Sequence, residues 1–377
     1  MRILCAPDKF KGTISAAKAA EAMARGAERV QTPAGPVLTD CCPVADGGEG
    51  TLEALITALG GEIRQARVVG PLEEAVDAPW GISRDGATGV VEFAAASGLV
   101  LVPPQQRDPM RTTSFGTGQL IALAAEAGCR TIIVGIGGSA TCDGAAGIAQ
   151  ALGARFYDDS GRLIEKPLSG GRLMEIARLE LPKNLPVLRV ACDVNNPLLG
   201  KDGAAAVYGP QKGAAPQQLQ QLDRALAHLA SVVGGDPNTR RFGASGGAGF
   251  GLAMMCRATL EDGIDLILGA IGFEQRCRAA DLVLTGEGRL DAQSLHGKAC
   301  MGVATAAGKL GVPAIAIVGS TGPGAERCLD ASAGGMLRQY ISLEAHYGRQ
   351  RALTETAGLI EKATEEAIDA WIDQAAS

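Results

Sequence analysis

Two stretches decide how the chain folds: Ile3-Leu4-Cys5-Ala6-Pro7-Asp8-Lys9-Phe10-Lys11-Gly12 near its start and Asp281-Leu282-Val283-Leu284-Thr285-Gly286-Glu287-Gly288-Arg289-Leu290-Asp291 near its end. Each begins as a short apolar run, the pattern of a buried strand, and then turns polar and glycine-bearing. After the first, Ser15 is placed to cap an alanine-rich helix reaching about Val30, which Thr32-Pro33-Ala34-Gly35-Pro36 ends. A second strand, about Val37 to Val44, runs into Ala45-Asp46-Gly47-Gly48-Glu49-Gly50, and a helix follows over about Thr51 to Leu59. After the second stretch come a helix from about Gly297 to Leu310, a strand from Pro313 to Val318 and one more from Met336 to Leu343. The terminal helix carries Ile360, Ala363, Ala367, Ile368, Trp371 and Ile372 at helical spacing, as core positions. Strand, loop and helix alternate at both ends, which is the α/β signature. The two ends supply five strands, a count that suits a flavodoxin-like, doubly wound parallel sheet.

The middle of the chain has a different rhythm. Short strand-like runs around Val68, Trp80 and Val91 are separated by turns at Gly70-Pro71 and Arg84-Asp85-Gly86, with no helix between them. They read as an antiparallel meander. A helix over Gly118 to Ala127, strands over Thr131 to Ile136 and Leu188 to Ala191, and an amphipathic helix over Pro216 to Val233 follow. A glycine-rich opening from Gly243 to Gly251 leads into a further helix. The expected organisation is a discontinuous flavodoxin-like domain, residues 1–64 plus 281–377, with an inserted α/β domain on a mixed sheet, residues 65–280. Strand count alone does not assign the Thr131 strand to one sheet or the other.

Composition narrows the function. At 377 residues the length suits roughly two domains of about 150 residues. Lys and Arg total 35 against 41 Asp and Glu, with no basic run, so no nucleic-acid partner is expected. The 10 cysteines form no C-x-x-C pair and mostly sit in apolar stretches, so neither a thiolate metal site nor an oxidising compartment is signalled, and a cytoplasmic protein is expected. The longest uncharged run, Leu310 to Ala325, is interrupted by proline and glycine and falls short of the roughly 20 apolar residues of a membrane span. Glycine is in excess, at 52 residues. It gathers in short loops beside apolar runs, as it does where backbone must lie close to a ligand.

Those loops share a place in the topology. In an open parallel sheet, ligands bind where loops and helix N-termini converge at the strands' carboxyl ends. Asp8-Lys9-Phe10-Lys11-Gly12, Asp46-Gly47-Gly48-Glu49-Gly50, Gly137-Gly138-Ser139-Ala140-Thr141, Asp193-Val194-Asn195-Asn196 and Gly286-Glu287-Gly288-Arg289-Leu290-Asp291 all follow apolar strands. Any one of them could be a turn or a helix cap; together they point to a site. Lys9, Lys11, Arg289 and Lys298 supply cations, and Asp8, Asp46, Glu49, Asp143, Asp193, Glu287 and Asp291 supply carboxylates. Cations, carboxylates for a hydrated Mg2+ and glycine loops for phosphate are the parts of phosphoryl transfer. Histidine is scarce, with only 3, His228, His296 and His346: His228 lies in a helical pattern and reads as structural, and His296 beside Gly297-Lys298 is a candidate ligand contact.

Competing patterns exist. Gly135-Ile136-Gly137-Gly138-Ser139-Ala140 matches G-x-G-x-x-A after a strand, with Asp158 about twenty residues on, which would suit a nicotinamide oxidoreductase. Asp143 weakens that reading, because its charge would oppose a pyrophosphate at the helix start unless a metal intervened. The same loop resembles, over a short length, the phosphate loop of galactokinase-type small-molecule kinases. No G-x-x-x-x-G-K-[ST] and no G-x-S-x-G occur, which removes a P-loop kinase and weakens a serine hydrolase.

With these motifs the chain resembles the bacterial glycerate kinases of the type I family. The resemblance rests on Ala6-Pro7-Asp8 with Phe10-Lys11-Gly12, on Ala45 to Thr51, on Gly135 to Gly144, on Ala191 to Val194 with Asn196-Pro197-Leu198, on Tyr208-Gly209-Pro210-Gln211-Lys212-Gly213-Ala214, and on Thr285 to Asp291 with Gly297-Lys298. It covers nearly the whole chain. It implies ATP-dependent phosphorylation of D-glycerate at the 2-hydroxyl, with the 3-hydroxyl as the alternative, and a site between a flavodoxin-like domain and an inserted domain. The chain departs from the family pattern at Lys9, where serine is usual, at Cys142, where asparagine is usual, at Asn195, where aspartate is common, and at Cys300, where proline is frequent.

The resulting expectations are specific. Arg289, with Lys11 as second cation, would hold the substrate carboxylate, since a guanidinium fork fits a carboxylate best. Gly137, Gly138, Ser139 and Thr141, with Lys298, would contact ATP. Asp8, Asn195, Glu287 and Asp291 would line the substrate, and Asp46 and Glu49 would face Mg2+. Asp193 would take the hydroxyl proton; the alternative makes Asp8 the base and sets Asp193 on the metal. Glycerate and ATP would be the partners of a monomer or homodimer. A non-catalytic acid- or sugar-binding module is the remaining rival, separable by nucleotide binding.

Overall fold

A computed structural model describes residues 1–32, 35–295 and 298–376. The backbone divides into two compact units. The first comprises residues 1–46, 53–59 and 263–377, and the second residues 47–52 and 60–262. Residues 263–280, expected in the inserted domain, thus belong to the first unit. The reason is packing: the helix Gly263–Ala270 lies on the helix Ala299–Lys309, where Gly302 has Ile264 against it at a distance that leaves no room for a side chain.

The first unit is built on a five-stranded, all-parallel sheet. Its strands lie side by side in the order Leu38–Cys41, Arg2–Pro7, Leu282–Leu290, Ala314–Thr321, Gln339–Ser342. In chain order that is 2-1-3-4-5, the flavodoxin-like arrangement. Ile3, Cys5, Leu282, Leu284, Ile315 and Ile317 are buried under the helices Ala16–Ala27 and Thr356–Ala376. Both helices fit closely. Gly26 faces the backbone of Glu361, and Glu361 takes Arg25 at 2.7 Å. Ser15 caps the first helix, accepting from the Lys18 N–H at 3.5 Å.

The second unit holds a six-stranded mixed sheet in the order Thr259–Glu261, Val187–Ala191, Thr131–Gly135, Thr88–Glu92, Ala75–Ile82, Glu62–Val69. The last three form the antiparallel meander, and the Thr131 strand joins it by pairing parallel to Thr88–Glu92. Pairing, invisible to a strand count, is what assigns it. The helix Pro216–Val233 buries Leu222, Leu226 and Leu229 in this unit's core.

One element differs in kind from its sequence reading. Gly286 to Leu290 is not a loop: the strand runs from Leu282 to Leu290 and keeps its register with the next strand as far as Leu290 opposite Thr321. Glycine at 286 and 288 suggests a turn, but here it lets neighbouring backbone close in. A Cβ at Gly286 would strike the Ile317 carbonyl, and one at Gly288 would lie 3.0 Å from the Lys11 nitrogen. All ten cysteines are free thiols, nine of them buried. No helix among the described residues is long and apolar enough to cross a membrane.

Candidate active site

Asp8 follows directly on the first strand. Pro7 pairs with Gly286, and the Asp8 N–H donates to the Gly286 carbonyl at 2.8 Å, which sets Asp8 beside Glu287. On the other flank the Val44 N–H donates to the Pro7 carbonyl at 3.0 Å and leads the chain to Asp46. Three carboxylates are thereby gathered at the carboxyl ends of adjacent parallel strands. Burial pushes the Asp8 carboxyl up to about 7, with Asp46 and Glu287 adding repulsion; the Lys9 N–H, donating at 2.7 Å, pulls the other way. Glu287 is 6% exposed, and burial lifts its carboxyl to about 7 as well. Ser294 Oγ donates to it at 2.6 Å. Carboxylates poised near neutrality are what proton transfer at pH 7 requires.

The cations stand around this group. Lys298 Nζ lies 3.5 Å from Asp291 Oδ1 and 3.5 Å from Ser294 Oγ, so its side chain belongs with Glu287 and Asp291. Arg289 is two residues from Glu287 on the same strand, hence on the same face. Its side chain is 60% exposed and holds Asp291 only loosely, at 3.6 Å, leaving most of the fork available. Lys11 is exposed, while its neighbour Phe10 is buried and anchors the loop. His296 lies outside the described residues.

In the second unit the Thr131–Gly135 strand feeds the glycine loop. Gly138 has φ +71°, and a Cβ there would come 3.2 Å from the Ala94 Cβ. Gly137 packs as closely on the Gly48 Cα. The Ala140 N–H donates to Ser97 O at 2.9 Å, and the Leu99 N–H to Gly138 O at 2.8 Å. A second glycine segment locks against the first. Ser245, Gly246 and Gly247 are all left-handed; Ser245 Oγ donates to the Ile136 carbonyl, and Gly246 leaves no space for a Cβ beside the Thr141 carbonyl. Thr141 is fully buried, so its hydroxyl is not presented at the surface as expected of an ATP contact.

The sequence reading misses Lys212. It is 2% exposed, and its Nζ donates to Ser139 Oγ and to the Thr141 carbonyl, each at 2.7 Å. The signal was the Tyr208 to Ala214 motif, to which no role was given. Asp143 proves to be an internal group. It is fully buried and accepts from the Ser114 N–H at 2.8 Å, from Ser114 Oγ at 2.7 Å and from the Ala145 N–H at 3.3 Å. Its charge therefore points away from any ligand on the loop. Asp193 and Asn195 are exposed on the segment after the Val187–Ala191 strand. Asn196 is a scaffold residue: its Nδ2 donates to Asp202 O at 2.8 Å and its Oδ1 accepts from Tyr208 OH at 2.7 Å.

The dinucleotide pattern loses its acid. Asp158 accepts from the N–H groups of Ser160 at 3.0 Å and Arg162 at 2.8 Å, which makes it a turn cap. The glycine loop is also followed by left-handed Gly144 and Ala145 and a helix of only 6 residues, Ala146–Ala151. His228 Nε2 donates to the Ile176 carbonyl, 2.7 Å away, as a structural histidine would. Among the described residues no group of three His, Cys, Asp or Glu has metal-holding geometry.

A flavodoxin-like parallel sheet with acids poised at its strand ends, joined to a glycine-loop unit, defines a small-molecule phosphotransferase. The glycerate kinase family model matches residues 3–372, and the chain belongs to that family. It is 46% identical over 330 residues to the glycerate 2-kinase of Escherichia coli K12, covering 85% of each chain. It is 47% identical over 331 residues to the glycerate kinase of Bacillus subtilis 168, again covering 85% of each. A crystal structure assigned as glycerate kinase 2 of Salmonella typhimurium LT2 superposes with a TM-score of 0.87 at 40% identity, over 100% of both chains.

Proposed function

We propose that the chain transfers the γ-phosphoryl group of ATP to the 2-hydroxyl of D-glycerate, giving 2-phospho-D-glycerate and ADP. The observation that supports this reading is the placing of Asp8 beside Glu287 by the Asp8 N–H to Gly286 carbonyl bond on adjoining parallel strands, where burial raises both carboxyls to about 7. As the substrate's O–H bond breaks and its oxygen bonds to phosphorus, the proton passes to Asp8, whose affinity for it is already matched to neutral pH. This prefers Asp8 over the exposed Asp193 as the base. Glu287 holds the substrate hydroxyls, with Ser294 fixing its orientation. Arg289 and Lys11 bind the substrate carboxylate, and Asp291 and Lys298 set the Arg289 fork. Gly137, Gly138 and Ser139 receive the phosphates of ATP, and Asn195 contacts the substrate from its own loop. Asp46 and Glu49 would hold the magnesium ion of the nucleotide, which would supply neutralisation of phosphate charge; the half-buried position of Asp46, close enough to Asp8 and Glu287 to repel both, supports the first of them. The ten free thiols support a reducing, cytoplasmic setting.

The test is a coupled ADP-release assay with D-glycerate, glycolate, lactate and tartronate. It is followed by addition of enolase without mutase, which consumes only the 2-phosphate. Turnover on D-glycerate with immediate enolase consumption is expected. A product inert to enolase would reassign transfer to the 3-hydroxyl, and no ADP release with any acid would end the kinase reading.

A further inference from the structure

Lys212 is the one buried cation in the described chain that neither catalysis nor an ion pair has yet explained, and its chemistry constrains the glycine loop. An ammonium donates three hydrogen bonds and accepts none. Two of its protons go to Ser139 Oγ and the Thr141 carbonyl, both neutral acceptors in the 137–141 loop. Asp143 favours its charge without forming an ion pair with it, and is already committed to Ser114 and Ala145. A cation 2% exposed with neutral partners costs free energy unless an anion answers it. A loop that needed only tethering could be held by a neutral side chain.

The second consequence concerns Ser139. Its oxygen accepts from Lys212, so its own proton must point elsewhere. Among the described residues that O–H meets no acceptor. The structure assigns Lys212 as a positioning residue for nucleotide phosphate: it holds Ser139 Oγ as an acceptor, so that the Ser139 hydroxyl is turned outward as a donor to a phosphate oxygen, and its charge sits behind the loop as the counter-ion of the polyphosphate. This rests on the reading of the 137–141 loop as the phosphate site.

The two ideas are separable by comparing Lys212→Met, Ser139→Ala, the double variant and Gly138→Val. Dissociation constants for ATP, ADP and adenosine and the KM for D-glycerate are the readouts. Loss of a charge-assisted interaction predicts ATP and ADP binding weakened roughly 10- to 100-fold by Lys212→Met. Adenosine binding and the KM for glycerate should stay within about two-fold of wild type, a split that a merely structural lysine would not produce. Ser139→Ala should cost less, about 5- to 10-fold. The double variant should be no worse than Lys212→Met, because Ser139 loses its orientation with the lysine. Additive losses, or wild-type ATP affinity in Lys212→Met, would overturn the assignment. Should Lys212→Met fail to fold, Ser139→Ala decides: unchanged ATP affinity there refutes it. If Gly138→Val alone loses ATP, the phosphate loop stands and only the role of Lys212 falls. If Gly138→Val also binds ATP normally, the loop reading itself falls.

Discussion

The strand-end acids of the first unit and the glycine loops of the second are tuned in opposite ways. At Asp8, Asp46 and Glu287 the fold crowds like charges, and it takes Asp8 and Glu287 out of water, which lifts both to about 7. At residues 137–141 and 245–247 the acid is turned inward, a cation is buried behind the backbone, and glycines adopt left-handed conformations so that two loops can interlock. The first region stores electrostatic tension and the second stores shape. A group that must move a proton needs a perturbed affinity, whereas a group that must cradle an anion needs fixed donors.

Removing an acid has the largest effect. Asp8→Asn should lower kcat by about 10²- to 10⁴-fold with ATP affinity near wild type, measured by steady-state kinetics and nucleotide titration. Asp193→Asn, tested alongside, should lose far less; a reversal of that order would return the base to Asp193. Rescue of Asp8→Asn by raised Mg2+ or by Mn2+ would make Asp8 a metal contact instead.

The next effect falls on shape. Gly246→Ala puts a methyl group on a left-handed residue facing the Thr141 carbonyl. Left-handed backbone alone costs about 1–2 kcal/mol, and the overlap adds to it. A loss of about 3 kcal/mol or more is expected in urea unfolding, together with weakened ATP binding.

A smaller change sharpens the substrate side. Arg289→Lys keeps the charge and loses the fork, so the KM for glycerate should rise about 10-fold at unchanged ATP affinity, corresponding to one lost charged hydrogen bond. An unchanged KM would make Arg289 a surface cation.

The smallest effect is in stability and carries a sign. Glu287 is raised from 4.5 to about 7, so the folded state binds its proton more tightly than the unfolded chain does. Its ionisation therefore costs nothing at pH 4, costs progressively more as pH rises, and costs most above about 7. Glu287→Gln should melt higher than wild type at pH 8 and at the same temperature at pH 4, while turning over more slowly. Equal melting at both would mean the carboxylate is not strained. A site kept at the expense of stability is a familiar trade.

Local chemistry alone made much of the molecule legible. The helices Thr51–Leu59 and Pro216–Val233 end where the pattern says they end, and Ser15 caps the first helix, because capping and amphipathic spacing act over a single turn. The five-strand parallel sheet followed from alternation at the two ends, and the resemblance in the ordered motifs pointed to the family that the comparison then bore out. What tertiary structure alone decided depends on pairs distant in sequence. The Gly286–Leu290 segment became strand because a strand 31 residues away in register, Arg289 with Ser320, continues to pair with it. Asp143 became an interior group because Ser114 is there to receive it, and Lys212 became a loop anchor because folding brings it 73 residues back to Ser139. The residue types were always visible; which of them lose water, and to which partners, is set only when the chain closes on itself.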